Sequence, residues 1–179
     1  EIYVGSDMAG HVFETLEEAG QPHGLKLAGL HVLDSCRIEK AFRHFGHDIT
    51  DEDHVLEAGL GFAVRVQKPD FIGRDAVMRK KEEGLRRRML QFKLNDAEPL
   101  LYHNEPIVRD GGIVSFLTSG NYGHHLGGAI GMGYVPIEAD EKSDEILASS
   151  WEIEIAGTRV TAEASIKPMY DPKSERVRM

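Results

Sequence analysis

The chain has 179 residues, 41% hydrophobic and 28% charged, room for one ordinary domain or one domain and part of another. That composition is globular, neither disordered nor fibrous. A net charge of −9 argues against a nucleic-acid footprint. The single cysteine, Cys36, excludes an intrachain disulfide and permits a reducing compartment. No apolar run approaches the roughly 20 residues of a membrane span, and no signal-peptide pattern is present.

Glu1 to Val4 reads as a short strand closed by Gly5 and Ser6. Opening on what looks like an internal strand, the chain is expected to be a fragment of a longer protein. Ser6 or Asp7 is placed to cap a helix in which Ala9, Val12, Phe13 and Leu16 recur at helical spacing, with Gly20 ending it. After a turn at Gln21–Gly24 comes the organising stretch, Leu30 to Asp48. Ile38, Ala41, Phe42 and Phe45 form one apolar helical stripe there, flanked by the acid-first pairs Asp34/Arg37 and Glu39/Arg43, and Gly46 is the expected stop. Cys36 is read as a small packing residue of that helix. An acidic, histidine-bearing segment, His47 to Glu57, leads to a strand over Ala58 to Val66. Residues 1–66 are thus expected to form a strand–helix–helix–strand piece with a thin core.

Residues 67–84 read as a connector, with a helix from Arg74 to Glu83 stopped by Gly84. From 85 onward the pattern turns to strands. Leu90, Phe92 and Leu94 alternate with Gln91 and Lys93. A hairpin follows over Pro106–Thr118 through Asp110-Gly111-Gly112, then a strand over Ala129–Val135, then Trp151–Ile155 and Val160–Ile166 flanking a turn at Ala156-Gly157. The architecture expected is α+β, a partial α/β lobe followed by a small antiparallel barrel or sandwich over residues 85–166. That β part is expected to be self-sufficient, with Lys167–Met179 a surface extension.

Candidate chemistry is sparse. The glycine-rich run Gly120–Gly133 lacks the Gly-Lys-Ser/Thr ending of a phosphate loop and does not follow a strand and open a helix, so tight turns and close strand packing explain it better. His44, His47 and His54 lie among acidic residues, but Gly46 breaks the face and no zinc spacing is present. His124 and His125, adjacent in an expected strand, point to opposite faces. No metal is expected. Arg86-Arg87-Arg88 is read as a solvated face able to meet a polyanion or another chain segment. Ser115, Ser119 and Cys36 have no nucleophile setting, and no triad can be assembled.

Three blocks carry a resemblance. The first is Glu1-Ile2-Tyr3-Val4 with Gly29-Leu30 and Asp34-Ser35-Cys36-Arg37-Ile38-Glu39-Lys40. The second is Phe45-Gly46-His47-Asp48-Ile49 with Leu56-Glu57-Ala58-Gly59-Leu60 and Lys68-Pro69-Asp70-Phe71-Ile72-Gly73-Arg74. The third is Ser119-Gly120-Asn121-Tyr122-Gly123-His124, Gly131-Met132-Gly133-Tyr134-Val135 and Lys167-Pro168-Met169-Tyr170-Asp171-Pro172. Together they resemble the C-terminal half of the glycine-cleavage T-protein (aminomethyltransferase) family. The Arg-Ile-Glu-Lys and Met-Tyr-Asp-Pro wording is closer to the branch fused to flavin-dependent dimethylglycine and sarcosine dehydrogenases.

The resemblance implies a three-part cloverleaf around a tetrahydrofolate channel. Residues 1–66 would be the last part of a ferredoxin-like folate lobe, 67–84 a connector, and 85–179 the C-terminal barrel domain. Glu1 matches the glutamate that hydrogen-bonds the folate pterin, a fitting role for a carboxylate facing paired N–H donors. The family's folate-contacting arginine would fall at Leu33, so that contact is absent. The catalytic aspartate lies upstream, leaving no catalytic residue in this chain. The parent would pass a one-carbon unit from a small amine (glycine, dimethylglycine or sarcosine type) to tetrahydrofolate, with FAD in an upstream domain in the fused branch. The alternatives are a folate-dependent sulfonium demethylase or a non-catalytic docking module. Partners implied are folate, the amine and the missing N-terminal part of the same protein, with a homo-oligomer left open and neither nucleic acid nor membrane. The compartment implied is cytoplasmic, or the mitochondrial matrix in a eukaryote. Alone, the chain is expected to be inactive and to bind folate weakly.

Overall fold

The computed structural model describes residues 1–139 and 141–178. The chain divides into two compact units, Glu1–Leu33 and Asp34–Met179.

In the first unit, Glu1–Val4 forms no strand: a strand needs a ladder partner for its N–H and C=O groups, and no described residue supplies one. The helix α1 spans Ala9–Gly20, the position the apolar spacing predicts. Neither Ser6 nor Asp7 caps it. Met8 holds the N-cap position without a side-chain bond, and a 3-10 turn over Gln21–His23 follows its end. Phe13 and Leu16 of the apolar stripe remain half exposed.

The helix α2 spans Leu30–Glu39 and stops well before Gly46. Ala41 takes a left-handed conformation (φ 52°). Its N–H bonds to the carbonyl of Ile38 and that of Phe42 to the carbonyl of Arg37, both at 2.8 Å, which is a Schellman termination with alanine where glycine is usual. Ile38 and Ala41 are therefore buried, whereas Phe42 and Phe45 are exposed, and the four-residue stripe is only half real. Cys36 is also exposed, so it is not a packing residue. The expected strand over Ala58–Val66 is replaced by turns and a 3-10 turn at Gly61–Ala63, because its amides bond locally, Ala58 to His54 and Leu60 to Val55. The strand–helix–helix–strand piece is thus helices and turns, without a strand among the described residues before Arg87. The helix α3, Arg74–Glu83, lies where expected, and Gly84 ends it at φ 81°.

The remaining elements are β1 (Arg87–Leu94), β2 (Pro106–Arg109), β3 (Gly112–Gly123), β4 (Gly128–Pro136), the helix α4 (Ser143–Ala148), β5 (Trp151–Ile155) and β6 (Thr158–Ser165). The strands close a six-membered antiparallel barrel in the order β1-β4-β3-β2-β5-β6. Two hairpins turn through Asp110-Gly111 and Ala156-Gly157 with both φ positive, the two-residue turn whose twist matches the strands. Inside, Leu90, Phe92, Leu94, Ile107, Leu117, Ile153 and Trp151 pack together, and Phe92 meets Trp151 edge-on at 5.4 Å. The indole N–H of Trp151 is satisfied by the carbonyl of Ile146 on α4 at 3.0 Å.

Strand β4 is buried on both faces, apart from its last residue. Ala129 and Val135 face the barrel core, while Ile130, Met132 and Tyr134 join Met89, Ile38, Ala41 and Ala58 in a second cluster outside it. Its glycines match that crowding. A Cβ at Gly133 would meet the backbone oxygen of Phe116 at 2.9 Å, and one at Gly131 that of Ser119 at 3.0 Å. Close strand packing is the role of the glycine-rich run. The tail is no loose extension: Gln91 accepts from the amide of Met169 at 2.8 Å and Lys40 holds Asp171 and Ser174. Its last residue, Met179, lies outside the described residues. No described helix is long and apolar enough to cross a membrane.

Candidate functional site

In the first unit, Glu1 is exposed and its carboxylate accepts from the hydroxyl of Tyr3. That bond holds the Tyr3 phenol above its ordinary pKa. One hydroxyl does not exhaust a carboxylate, so Glu1 keeps acceptor capacity for further N–H donors. Leu33 is 58% exposed.

In the second unit the polar groups gather where the end of α2 meets the barrel. The Asp48 side chain has 0% exposure, and three donors surround it. The guanidinium of Arg37 donates to it at 2.6 Å, the hydroxyl of Thr118 at 2.6 Å and the amide of His44 at 2.9 Å. Arg37 also donates to Asp34 at 2.7 Å and to Ser119 at 2.9 Å. The Asp34/Arg37 pair is the one expected from spacing. Glu39 does not pair with Arg43. Its buried carboxylate accepts from the amides of His125 and Leu126 at 2.7 and 3.0 Å, and its other oxygen lies 3.1 Å from His125 Nδ1. His124 and His125 stand in the β3–β4 turn, not in a strand, and His125 stacks on Tyr170 at 4.5 Å.

The arginine run is another correction. Arg87 donates to Glu57 at 2.9 Å and to Asp53 at 2.8 Å, and Lys80 reaches Glu57 at 2.7 Å. Arg88 donates to Ser143 at 3.1 Å, which leaves Arg86 as the exposed member. Burial pushes the Glu57 carboxyl up, but bonds from Lys80, Arg87 and the Arg86 amide outweigh it and hold the group below its usual range. A carboxyl with a lowered folded-state pKa contributes stability that is present above its unfolded pKa and lost as pH falls through the folded one. Acid unfolding of wild type should therefore steepen below about pH 4.3, the ordinary glutamate value. Glu57→Gln should lose part of that acid dependence, read as the urea midpoint against pH. Superimposable profiles for the two proteins would show that Glu57 carries none of it.

Chemically these networks hold elements together, because their donors and acceptors satisfy one another. Ser119 is buried and accepts from Arg37, which is no setting for a nucleophile. Among the described residues no group of three or more His, Cys, Asp or Glu is placed to hold a metal ion. Gly120–Gly133 lies in the β3–β4 hairpin and not between a strand and a helix, so these residues do not fit a flavin dinucleotide. Sequence reasoning missed the roles of Asp48, Ser119 and Gln91. Their only signal was polar character inside segments otherwise apolar or glycine-rich.

A helical region followed by a closed six-stranded antiparallel barrel defines an α+β protein of barrel-bearing type. Residues 1–68 match the model of the GCVT N-terminal domain, and residues 87–171 that of the glycine cleavage T-protein C-terminal barrel domain. The chain belongs to the glycine cleavage T-protein family. It is 42% identical over 179 residues to 4-methylaminobutanoate oxidase (formaldehyde-forming) of Paenarthrobacter nicotinovorans, covering 99% of this chain and 21% of that protein. To an aminomethyltransferase of Halothermothrix orenii it is 42% identical, covering 75% of this chain and 38% of the relative. To human mitochondrial sarcosine dehydrogenase it is 32% identical, covering 99% and 20%. The chain therefore spans about a fifth to two fifths of these relatives. The crystal structure of glycine cleavage system aminomethyltransferase T from Bartonella henselae superposes with a TM-score of 0.77 at 22% identity, over 91% of this chain and 45% of that one, a likeness of fold.

Proposed function

We propose that this chain is the C-terminal part of a tetrahydrofolate-dependent enzyme that receives a one-carbon unit from a small amine. The observation that carries this reading is the tandem match, in order, of both T-protein models across residues 1–68 and 87–171. The relatives include both aminomethyltransferases and amine oxidoreductases, one of them named as forming formaldehyde. Bound tetrahydrofolate would supply the nucleophilic amine that captures a carbon at the formaldehyde level. In this chain Glu1 would orient the pterin by accepting its N–H edge, a positioning role. Flavin, where the parent uses it, would be held by other parts of that protein.

The test is calorimetric titration of tetrahydrofolate into this chain, the full-length parent and the parent carrying Glu1→Gln. Together with it, free formaldehyde released during amine turnover is assayed with and without folate. Folate should suppress formaldehyde release by the parent, and this chain alone should bind weakly. Glu1→Gln replaces an acceptor oxygen with a donor, so affinity should fall at least about tenfold, the loss of one charge-assisted bond. Unchanged affinity in the Gln variant removes Glu1 from the site. Formaldehyde release indifferent to folate overturns the reading as a whole.

A further inference from the structure

We infer that the open groove between α3 and the strands β3 and β4 is a binding site for a small organic or inorganic oxyanion, carboxylate or phosphate. The groove encloses about 490 Å³, within the size range of small-molecule sites, and is lined by Lys80, Arg86, Arg87, Glu57, Ser115 and Tyr134, among others.

Glu57 is the one carboxylate in the lining, and it is spent: Lys80 donates to it at 2.7 Å, Arg87 at 2.9 Å and the Arg86 amide at 3.4 Å. The Arg87 charge is paired with Glu57 and Asp53, and its guanidinium lies over the Tyr134 ring at 4.4 Å. What remains unspent is rich in donors, two of its groups cationic. The guanidinium of Arg86 and the hydroxyl of Ser115 have no hydrogen-bond or ion-pair partner among the described residues, and Lys80 commits one of its N–H groups to Glu57. The Tyr134 hydroxyl, buried in the wall, is also without a partner. Burial pushes its pKa up to about 12, so the wall adds no negative charge at neutral pH.

A chain of net charge −9 thus keeps a groove whose free groups are a guanidinium, two hydroxyls and the uncommitted N–H groups of an ammonium. An oxyanion answers these groups, since it accepts paired bonds from an arginine fork and single ones from the others. A cationic ligand would be repelled by the two cations, and a neutral one would leave their charge unanswered. The site shares no residue with the folate reading and stands or falls separately from it.

The experiment is calorimetric titration of the chain, at low ionic strength, with sodium succinate and with inorganic phosphate as probes and sodium chloride as the blank. Saturable binding of either probe above the blank is expected, and the tighter one identifies the source as carboxylate or phosphate. Arg86→Ala should weaken it at least about tenfold, and Ser115→Ala less. Arg86 is exposed and unpaired, so its variant should keep the wild-type melting curve. Arg79→Ala, which removes an exposed cation of α3 outside the lining, should leave binding unchanged. Absence of saturation with both probes overturns the proposal. So does equal weakening by Arg79→Ala, which reports only general charge.

Discussion

Arg37→Met is expected to destabilise the chain by about 3–5 kcal/mol, the cost of leaving a buried charge without its partner. Arg37 is the hub that joins Asp34, Asp48, Ser119 and the carbonyl of Phe42. Its partner Asp48 has 0% side-chain exposure. With Arg37 gone, that carboxylate keeps the Thr118 hydroxyl and the His44 amide but no cation. Against a total stability of order 5–15 kcal/mol, the loss is a large fraction. Urea denaturation followed by circular dichroism reads it directly. The pair Arg37→Met with Asp48→Leu should recover much of the loss, because removing both charges also removes the desolvation cost. A single variant within about 1 kcal/mol of wild type, the range of an exposed ion pair, would refute the hub. So would a double variant less stable than either single one.

The same region shows what the sequence conveys and what it does not. The β part was legible because alternation, Asp-Gly and Ala-Gly turns and strand length all agree: β1, β2, β4 and both hairpins lie at the expected residues. The helices α1 and α3 were legible too, α1 from its apolar spacing and both from a glycine at the end. The end of α2 was not. Ile38, Ala41, Phe42 and Phe45 satisfy helical spacing on paper, but Ala41 is held left-handed by two backbone bonds that spacing does not encode. The apparent strands at Glu1–Val4 and Ala58–Val66 have strand composition and no partner, and a strand is defined by pairing. Of the candidate site, the Asp34/Arg37 pair was legible as a local contact. Arg37 with Ser119 and Glu39 with His125 are 82 and 86 residues apart, beyond any local rule. Arg87 was misread as solvated for that reason, its acids lying 30 and 34 residues away. The family resemblance rests on motif order and so survived these local errors.

Gly120→Ala is expected to cost about 1–3 kcal/mol or more, the range of an overpacked core. Gly120 pairs with Gly131 across the β3–β4 ladder. A Cβ there would lie 2.7 Å from the Leu101 Cβ, 2.8 Å from the Leu101 carbonyl carbon and 2.8 Å from the Tyr102 nitrogen. Two of those atoms are backbone, so no side-chain rotation relieves the contact. The segment must move, and Leu101, 1% exposed, must leave its place in the core. Gly112→Ala is the matched control on the same strand. Its added Cβ meets only the Arg109 carbonyl oxygen at 3.8 Å, an ordinary contact, and its backbone is not left-handed. That variant should stay within about 0.5 kcal/mol, as surface substitutions usually do. Thermal and urea unfolding of the two variants therefore separates glycine required by close approach from glycine merely present. Equal stability of Gly120→Ala and Gly112→Ala would mean that Leu101 yields freely, and the close-packing account of the glycine-rich run would fail.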